Sequence, residues 1–477
     1  MFDGYVRDNA HWSPRAPAVV TPARVSSYAE FNADIDRFGA ALAALGITRD
    51  SGVVSVCLDS PYLTLAVTAA LARLRVVSSP YNDHGAALRL VEERETAGSE
   101  APGPRLVTLT RDWLAAARAA EPRPYRVLDV DYDQIGRVML SSGTTRLPRR
   151  VAMTWRRIEV GNHGNIRTYG AGAQGVWAPL TTVESMLGFT MAIAAWSLGN
   201  AVAGGVGVSE LPALMEAWPT GVIGCTPAQL RTLLTTLPAG FQPRPAWRIA
   251  TGGSLLPVPL AREVRLRVAP DVRIIYGATE SSLNAVGLAA HLEDAPGQVG
   301  VTPGGAVMEI LDDDGRPVPE GESGEIRIKS ERMTPYYLDD AAGTAERFRD
   351  GWFYSKDVGR RLPDGRVILE GRVDDRMNLG GVKFMPAVLE EAAFACRGVR
   401  DAAAFAVPGP AGLDQCWLAV TAEPGFDREM LAPHLAKYPN LPPPRFAWVE
   451  AIPRNAMGKV ERGKLRDALL AATGAVP

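Results

Sequence analysis

At 477 residues the chain is long enough for two or more domains with buried cores. It is 47% hydrophobic and 22% charged, and 51 basic against 53 acidic residues leave a net charge of -2. That balance argues against the basic surface that nucleic acid or an anionic membrane calls for. Cys57, Cys225, Cys396 and Cys416 are scattered with no C-x-x-C pair, so free thiols in a reducing cytoplasm are expected and a zinc site is not. The opening MFDGYVRDNAHW lacks the basic and apolar regions of a secretory signal, which agrees with a cytoplasmic location.

In chain order, YAEFNADIDRFGAALAALG (28–46) carries apolar residues at helical spacing and ends in a glycine stop. VVSVCL (53–58) reads as a buried strand and TLAVTAALARL (64–74) as a helix. VMLSSGTTRLPRRVAMTW (138–155) follows, an apolar run entering four hydroxyls around one glycine. Backbone N–H groups near a glycine approach anions closely and the hydroxyls add donors, although the same residues also make a plain turn. It is not G-x-x-x-x-G-K-[ST], which disfavours strand–loop–helix ATPases.

GVWAP (175–179), GVIGCT (221–226), WRIATGG (247–253) and VRIIYG (272–277) are short strands, most running into Gly or Pro loops. The uncharged stretch 186–208 is long enough to span a bilayer, but Gly199-Asn200 splits it into helix-length and strand-length pieces, so no membrane insertion is expected. In IIYGATES (274–281) a strand delivers Tyr276 and Gly277 into a loop before Thr279 and Glu280. An aromatic ring stacks on a base, and a carboxylate beside phosphates holds Mg²⁺.

From about 297, DDGRP and EGESG mark turns between short alternating strands. In GWFYSKDVGRRLPDGRVILEGRVDD (351–375), Asp357 follows a strand-like WFYS and suits a sugar diol, and Arg372 returns after a hairpin. A turn aspartate and a surface arginine are the plainer reading of each alone. The last hundred or so residues return to an α/β pattern, which sets the expected units at 1–373 and 374–477. PRNAMGKVERGKL (453–465) offers Lys459 after a glycine, either an exposed lysine or a point charge for an anionic site.

Taken together, in this order and spacing, these stretches resemble the adenylate-forming superfamily of acyl- and aryl-CoA synthetases, peptide-synthetase adenylation domains and luciferases. The resemblance runs from YAEF to Lys459. It implies an α/β fold: a large N-terminal domain of α/β sheets layered with helices plus a β-rich subdomain, and a small mobile α+β C-terminal domain. Ser141, Ser142, Gly143, Thr144 and Thr145 would hold the β- and γ-phosphates of ATP. Gly252, Gly253, Tyr276 and Gly277 would border adenine, Thr279 the α-phosphate, and Glu280 would bind Mg²⁺. Asp357 would take the ribose, helped by Arg372. Lys459 would neutralise charge between the attacking carboxylate and the α-phosphate, Asp374 would be the hinge, and Gly380, Gly381 and Lys383 would flank the thiol acceptor.

The implied reaction is ATP-dependent activation of a small carboxylic acid to an acyl-adenylate with loss of pyrophosphate, then transfer to a thiol. CoA is the preferred acceptor because the chain carries no carrier domain. A phosphopantetheine-bearing carrier protein, another nucleophile, or a non-catalytic nucleotide-binding role are the alternatives, with a monomer or homodimer expected. Where the family has T-T-G-x-P-K-G, this chain has Arg146, Arg149 and Arg150 at the second glycine, the lysine and the last glycine. Lys356 stands at the glycine before Asp357. The three arginines are expected to take over anion contacts around pyrophosphate, and Lys356 to add another cation nearby. Thr181, Thr182, Glu184, Cys225, Thr226 and Ser254 suggest a moderately polar pocket for a small or aromatic acid, with Glu184 either a substrate contact or a solvated helix-start residue.

Overall fold

The computed structural model describes residues 1–93, 104–124, 130–141, 148–170, 175–379, 382–408, 414–438, 441–454 and 460–473. Local chemistry sets the element ends. Helix Tyr28–Ala44 opens on a capping box in which Ser27 Oγ accepts from Glu30 N–H while the Glu30 carboxylate accepts from Ser27 N–H. Its apolar face, Phe31, Ile35, Phe38 and Leu42, is fully buried, and Gly46 at φ 80° ends it. Helix Pro61–Arg73 begins with Ser60 as cap and proline in its first turn. The uncharged stretch becomes helix Met186–Ser197, a turn at Gly199 (φ 72°) and strand Ala201–Ala203. No helix among the described residues is long and apolar enough to cross a membrane.

Among the described residues, an eight-stranded sheet runs in the order 282–288, 271–278, 247–252, 221–225, 176–179, 201–203, 17–20, 25–27. Its six inner strands are parallel and its two edges antiparallel. A seven-stranded sheet runs 337–338, 150–154, 135–140, 77–80, 53–57, 88–92, 105–109. Helices fill the space between these sheets, with Trp155, Trp177 and Trp196 each at most 2% exposed. Burying one large apolar side chain is worth about 1.5–3 kcal/mol, so this shared core fixes how the two sheets lie.

The turn-rich stretch folds as a separate antiparallel sheet of strands 298–300, 367–372, 352–361, 323–330 and 306–311, with Phe348–Arg349 on its edge. Gly315 and Gly321, at φ 79° and 88°, make the turns that DDGRP and EGESG signal. From residue 377 on, a two-stranded ribbon and a three-stranded sheet have their own apolar clusters around Leu389, Leu418 and Phe405. Contacts back to the preceding residues include the Arg231 guanidinium over the Phe394 ring and 3.4 Å from Asp401.

Candidate functional site

In the large parallel sheet, Leu180, Thr226, Gly253 and Thr279 follow the carboxyl ends of adjacent strands, where open α/β sheets bind ligands. Strand 247–252 runs so close to its neighbour that a Cβ on Gly252 would lie 2.6 Å from Ile275 O, so only glycine fits there. Gly253 turns the chain away at φ 90°.

Two distant segments meet at Tyr276. Strands 352–361 and 367–372 pair with Asp357 directly opposite Arg372, and Arg372 Nη1 lies 3.3 Å from Asp357 Oδ1. The Tyr276 hydroxyl donates to Asp357 Oδ2 at 2.6 Å, and the Asp357 backbone N–H donates to Ser355 Oγ. The Tyr276 ring is buried, and burial together with Asp357 pushes its phenol well above the usual range, so it stays a donor. Asp357 thus sits within a continuous strand rather than after one, beside a register shift between Val358 and Gly359. Lys356, in the family's glycine position, takes φ 58°, a conformation an L side chain rarely adopts.

Glu280 is buried and held from two sides. The Tyr337 hydroxyl donates to Glu280 Oε1 at 2.6 Å, and Tyr337 pairs across its sheet with Val151 in the hairpin strand. Arg157, buried in helix Trp155–Tyr169, donates to Ala152 O at 2.9 Å and to the carbonyls of Thr279 and Glu280 at 2.6 and 2.9 Å. Burial pulls its guanidinium down to about 10, leaving it charged at neutral pH. Arg157 and Tyr337 therefore bolt the carboxylate loop to the hydroxyl-rich hairpin. Neither stands out in the sequence, although an arginine two residues into a helix whose flanking Trp155 and Ile158 are apolar was a signal.

The hairpin itself joins strands Ile135–Leu140 and Arg150–Thr154, so the loop is strand–loop–strand. Ser141 N–H donates to Arg149 O at 2.9 Å and Arg149 N–H to Ser141 Oγ at 3.1 Å, which closes the loop base. Ser142, Gly143, Thr144, Thr145, Arg146, Gly380, Gly381 and Lys459 lie outside the described residues, as does the Lys383 side chain.

The expectation that the extra cations face pyrophosphate is corrected at three positions. Arg149 Nε lies 2.9 Å from Asp340 Oδ2, its Nη2 3.4 Å from Glu346, and its guanidinium stacks on Tyr337. Arg150 is buried against Asp83 at 2.9 Å and also pairs with Asp339, in space that any side chain at Gly85 would fill. Lys356 pairs with Glu346 and lies 3.8 Å from exposed Asp374. Carboxylates 67 to 197 residues away in the sequence neutralise the two arginines, as from Arg150 to Asp83 and from Arg149 to Glu346.

The hydroxyls expected to line the acid pocket behave differently from one another. Thr226 Oγ accepts from Gln229 N–H as a helix cap, Thr182 is exposed, and Ser254 is partly buried just past Gly253. Thr181 is buried with a hydroxyl that has no hydrogen-bond partner, and burial pushes the Cys225 thiol up to about 12, so it is no nucleophile. Glu184 is half-buried rather than solvated. Burial raises its pKa and Arg137 opposes the shift. Arg137 is itself buried, donating to Ser78 Oγ and to Val183 O at 3.0 Å, with its guanidinium over the Phe189 ring.

Among the described residues no group of three His, Cys, Asp or Glu is placed to hold a metal. One buried carboxylate, Glu280, with Oε1 fixed by Tyr337, offers the hard oxygen donor that would suit a magnesium ion.

A family model described as "AMP-binding enzyme" matches residues 6–338. The chain is 27% identical to the fatty acid–[acyl-carrier-protein] ligase ScoC of Streptomyces coeruleorubidus, over 96% of this chain and 94% of that one. It is equally 27% identical to a feruloyl-CoA synthase from an Amycolatopsis species, covering 96% of both. The solved structure of ATP-bound MatB from Rhodopseudomonas palustris superposes with a TM-score of 0.84 over 98% of both chains, at 21% identity.

Proposed function

We propose, from the premise that this chain belongs to the AMP-binding enzyme family, that it activates a carboxylic acid with ATP and passes the acyl group to a thiol. The acid's carboxylate attacks the α-phosphorus of ATP, pyrophosphate leaves, and the thiol then displaces AMP from the acyl-adenylate. The observation that carries the reading is the convergence, at one end of the parallel sheet, of a diol-sized acceptor and a phosphate-side carboxylate. Asp357, set by Tyr276 and Arg372, receives the ribose hydroxyls, and Glu280, set by Tyr337 and Arg157, is tied through both to the hairpin strand Arg150–Thr154.

Glu280 would hold magnesium, which would supply positive charge to the phosphate oxygens. Ser141 and the hydroxyls that follow it bind the pyrophosphate half, Thr279 borders the α-phosphate, and Gly252 and Gly253 leave room for the base. Both reactants are anionic, so fixed positive charge is the largest contribution. Lys459 brings it from the unit that begins at Asp374, and rotation about Asp374 withdraws it and presents Gly380, Gly381 and Lys383 to the thiol. The fixed partners of Arg149, Arg150 and Lys356 leave this role to Lys459.

CoA is the acceptor in this reading. A carrier-bound phosphopantetheine is the second, favoured by the similarity to an acyl-carrier-protein ligase. Acid-dependent ATP–pyrophosphate exchange tests the first step: Lys459→Ala should lower it by about a hundredfold or more. No exchange across a broad acid panel, with no ATP binding by calorimetry, would overturn the assignment. Thioester formation with free CoA against a loaded carrier protein separates the two acceptors.

A further inference from the structure

Two arginines bracket the segment that carries Lys459, Arg454 five residues before it and Arg462 three after it. Lys459 lies outside the described residues, but the two ends of its segment do not. Arg454 and Val460 form an antiparallel bridge, and Glu461 N–H donates to Pro453 O at 2.9 Å, so the segment leaves and returns at one base. Val460 follows Lys459 directly, which sets their Cα atoms about 3.8 Å apart. Whatever fixes this base therefore fixes where the lysine starts.

Both arginines tie the base to strand Val399–Pro408. Arg454 holds Asp401 with two nitrogens, Nη2 at 2.7 Å from Oδ1 and Nε at 3.2 Å from Oδ2. Such a fork fixes orientation as well as distance. Arg462, opening helix Arg462–Thr473, donates to Ala404 O at 3.0 Å and to Glu390 Oε1 at 2.6 Å, and reaches Asp375 at 3.2 Å. Glu390 also accepts from Ala404 N–H, which closes that corner.

The same Asp401 is reached from a distant part of the chain. Arg231, in helix Pro227–Thr236 after strand Gly221–Cys225, lies 3.4 Å from Asp401 Oδ1 and donates to Arg400 O. Its guanidinium sits 5.1 Å over the Phe394 ring. Burial lowers its pKa, Asp401 opposes that shift and Arg454 adds to it, so one carboxylate serves two cations. The two contacts are unequal. Arg454 takes both oxygens at short range, whereas Arg231 makes a single longer approach.

We propose that Asp401 is a positioning residue for Lys459. Through Arg454 it sets the base of the lysine's segment, and through Arg231 it seats that base against helix Pro227–Thr236 while the adenylate forms. The proposal rests on the ligase reading above, which makes Lys459 the charge that joins the two anionic reactants. In this role Asp401 acts only through the two arginines. The Arg454 fork travels with Lys459, and the weaker Arg231 contact is the one that breaks when the lysine withdraws.

The test separates the two half-reactions in the full-length protein. Exchange is measured with ferulate, 3-hydroxybenzoate and hexanoate, and thioester formation with CoA and the synthetic adenylate of the best of these. A small misplacement of a reacting group can cost about a hundredfold, so Asp401→Asn should lower kcat for exchange by about tenfold or more while KM for ATP and thioester formation stay within about threefold. In Lys459→Ala the same change should cost at most about twofold more, because the group it positions is gone. Asp401→Glu, which keeps the charge, should recover part of the loss. Arg231→Met removes one partly exposed contact and should lower exchange by about two- to fivefold, sparing thioester formation. Acetylation of Lys459 read by mass spectrometry needs no acid: MgATP should protect the lysine in the wild type but not in Asp401→Asn that still binds ATP by calorimetry. Unchanged exchange or unchanged protection in folded Asp401→Asn, equal losses in both half-reactions, full additivity with Lys459→Ala, or exchange untouched by Arg231→Met would overturn the positioning role and leave the ligase reading standing. No exchange with any acid in the wild type, together with no ATP binding, would overturn both.

Discussion

The proposed nucleotide half and the proposed acid half of the site are built on opposite plans. On the nucleotide side Asp357, Glu280, Arg149 and Arg150 each have fixed partners, contributed by Tyr276, Tyr337, Asp340 and Asp83. On the acid side Thr181 keeps a buried hydroxyl without a partner. The first plan suits a constant ligand, because groups oriented in advance need no reorganisation when it binds. The second leaves a buried hydroxyl unpaired, which costs stability for as long as nothing completes it.

The largest expected effect comes from breaking the satisfied half. Arg150→Met leaves Asp83, 0% exposed, without its guanidinium, and breaking a buried pair from one side costs about 3–5 kcal/mol, to be read by urea unfolding. In protein that remains folded at low temperature, KM for ATP should stay within about threefold. A large rise in KM with unchanged stability would return Arg150 to the phosphates. An intermediate effect follows from Tyr276→Phe, which removes the donor to Asp357. Losing one hydrogen bond to a charged group is worth about 1.5–3 kcal/mol, so KM for ATP should rise by about tenfold or more with the acid preference unchanged.

The smallest effect sharpens the acid half. Burial raises the Glu184 pKa above its value in the unfolded chain, with Arg137 opposing. The ionised carboxylate therefore costs stability above its folded pKa, and that cost vanishes below the unfolded one. Glu184→Gln should gain on the wild type as pH rises through that window, measured as a widening difference in melting temperature. A difference constant with pH would mean that Glu184 has the same pKa in both states.

Much of this was legible locally. Alternation, glycine stops and caps place the strands near 53, 221, 247 and 272 and the helix at 28, and the split at Gly199-Asn200 is where the structure turns. Asp357 and Arg372, fifteen residues apart, were readable as a pair because a hairpin lay between them. Arg157 and Tyr337 were not, since their partners at 279 and 280 lie 122 residues from Arg157 and 57 from Tyr337. The arginines after the hydroxyl run were misread for the same reason, their counter-ions being at 83, 339, 340 and 346.

The amino-acid sequence by itself determined which segments become strands and helices and which residue types arrive at the ends of the parallel strands. Those outcomes depend on neighbours within one or two turns of chain. Only the tertiary structure decided which charges are already neutralised and which buried hydroxyls are left unpaired. Coulombic and desolvation energies depend on distance and burial in space, and a local pattern of residues records neither.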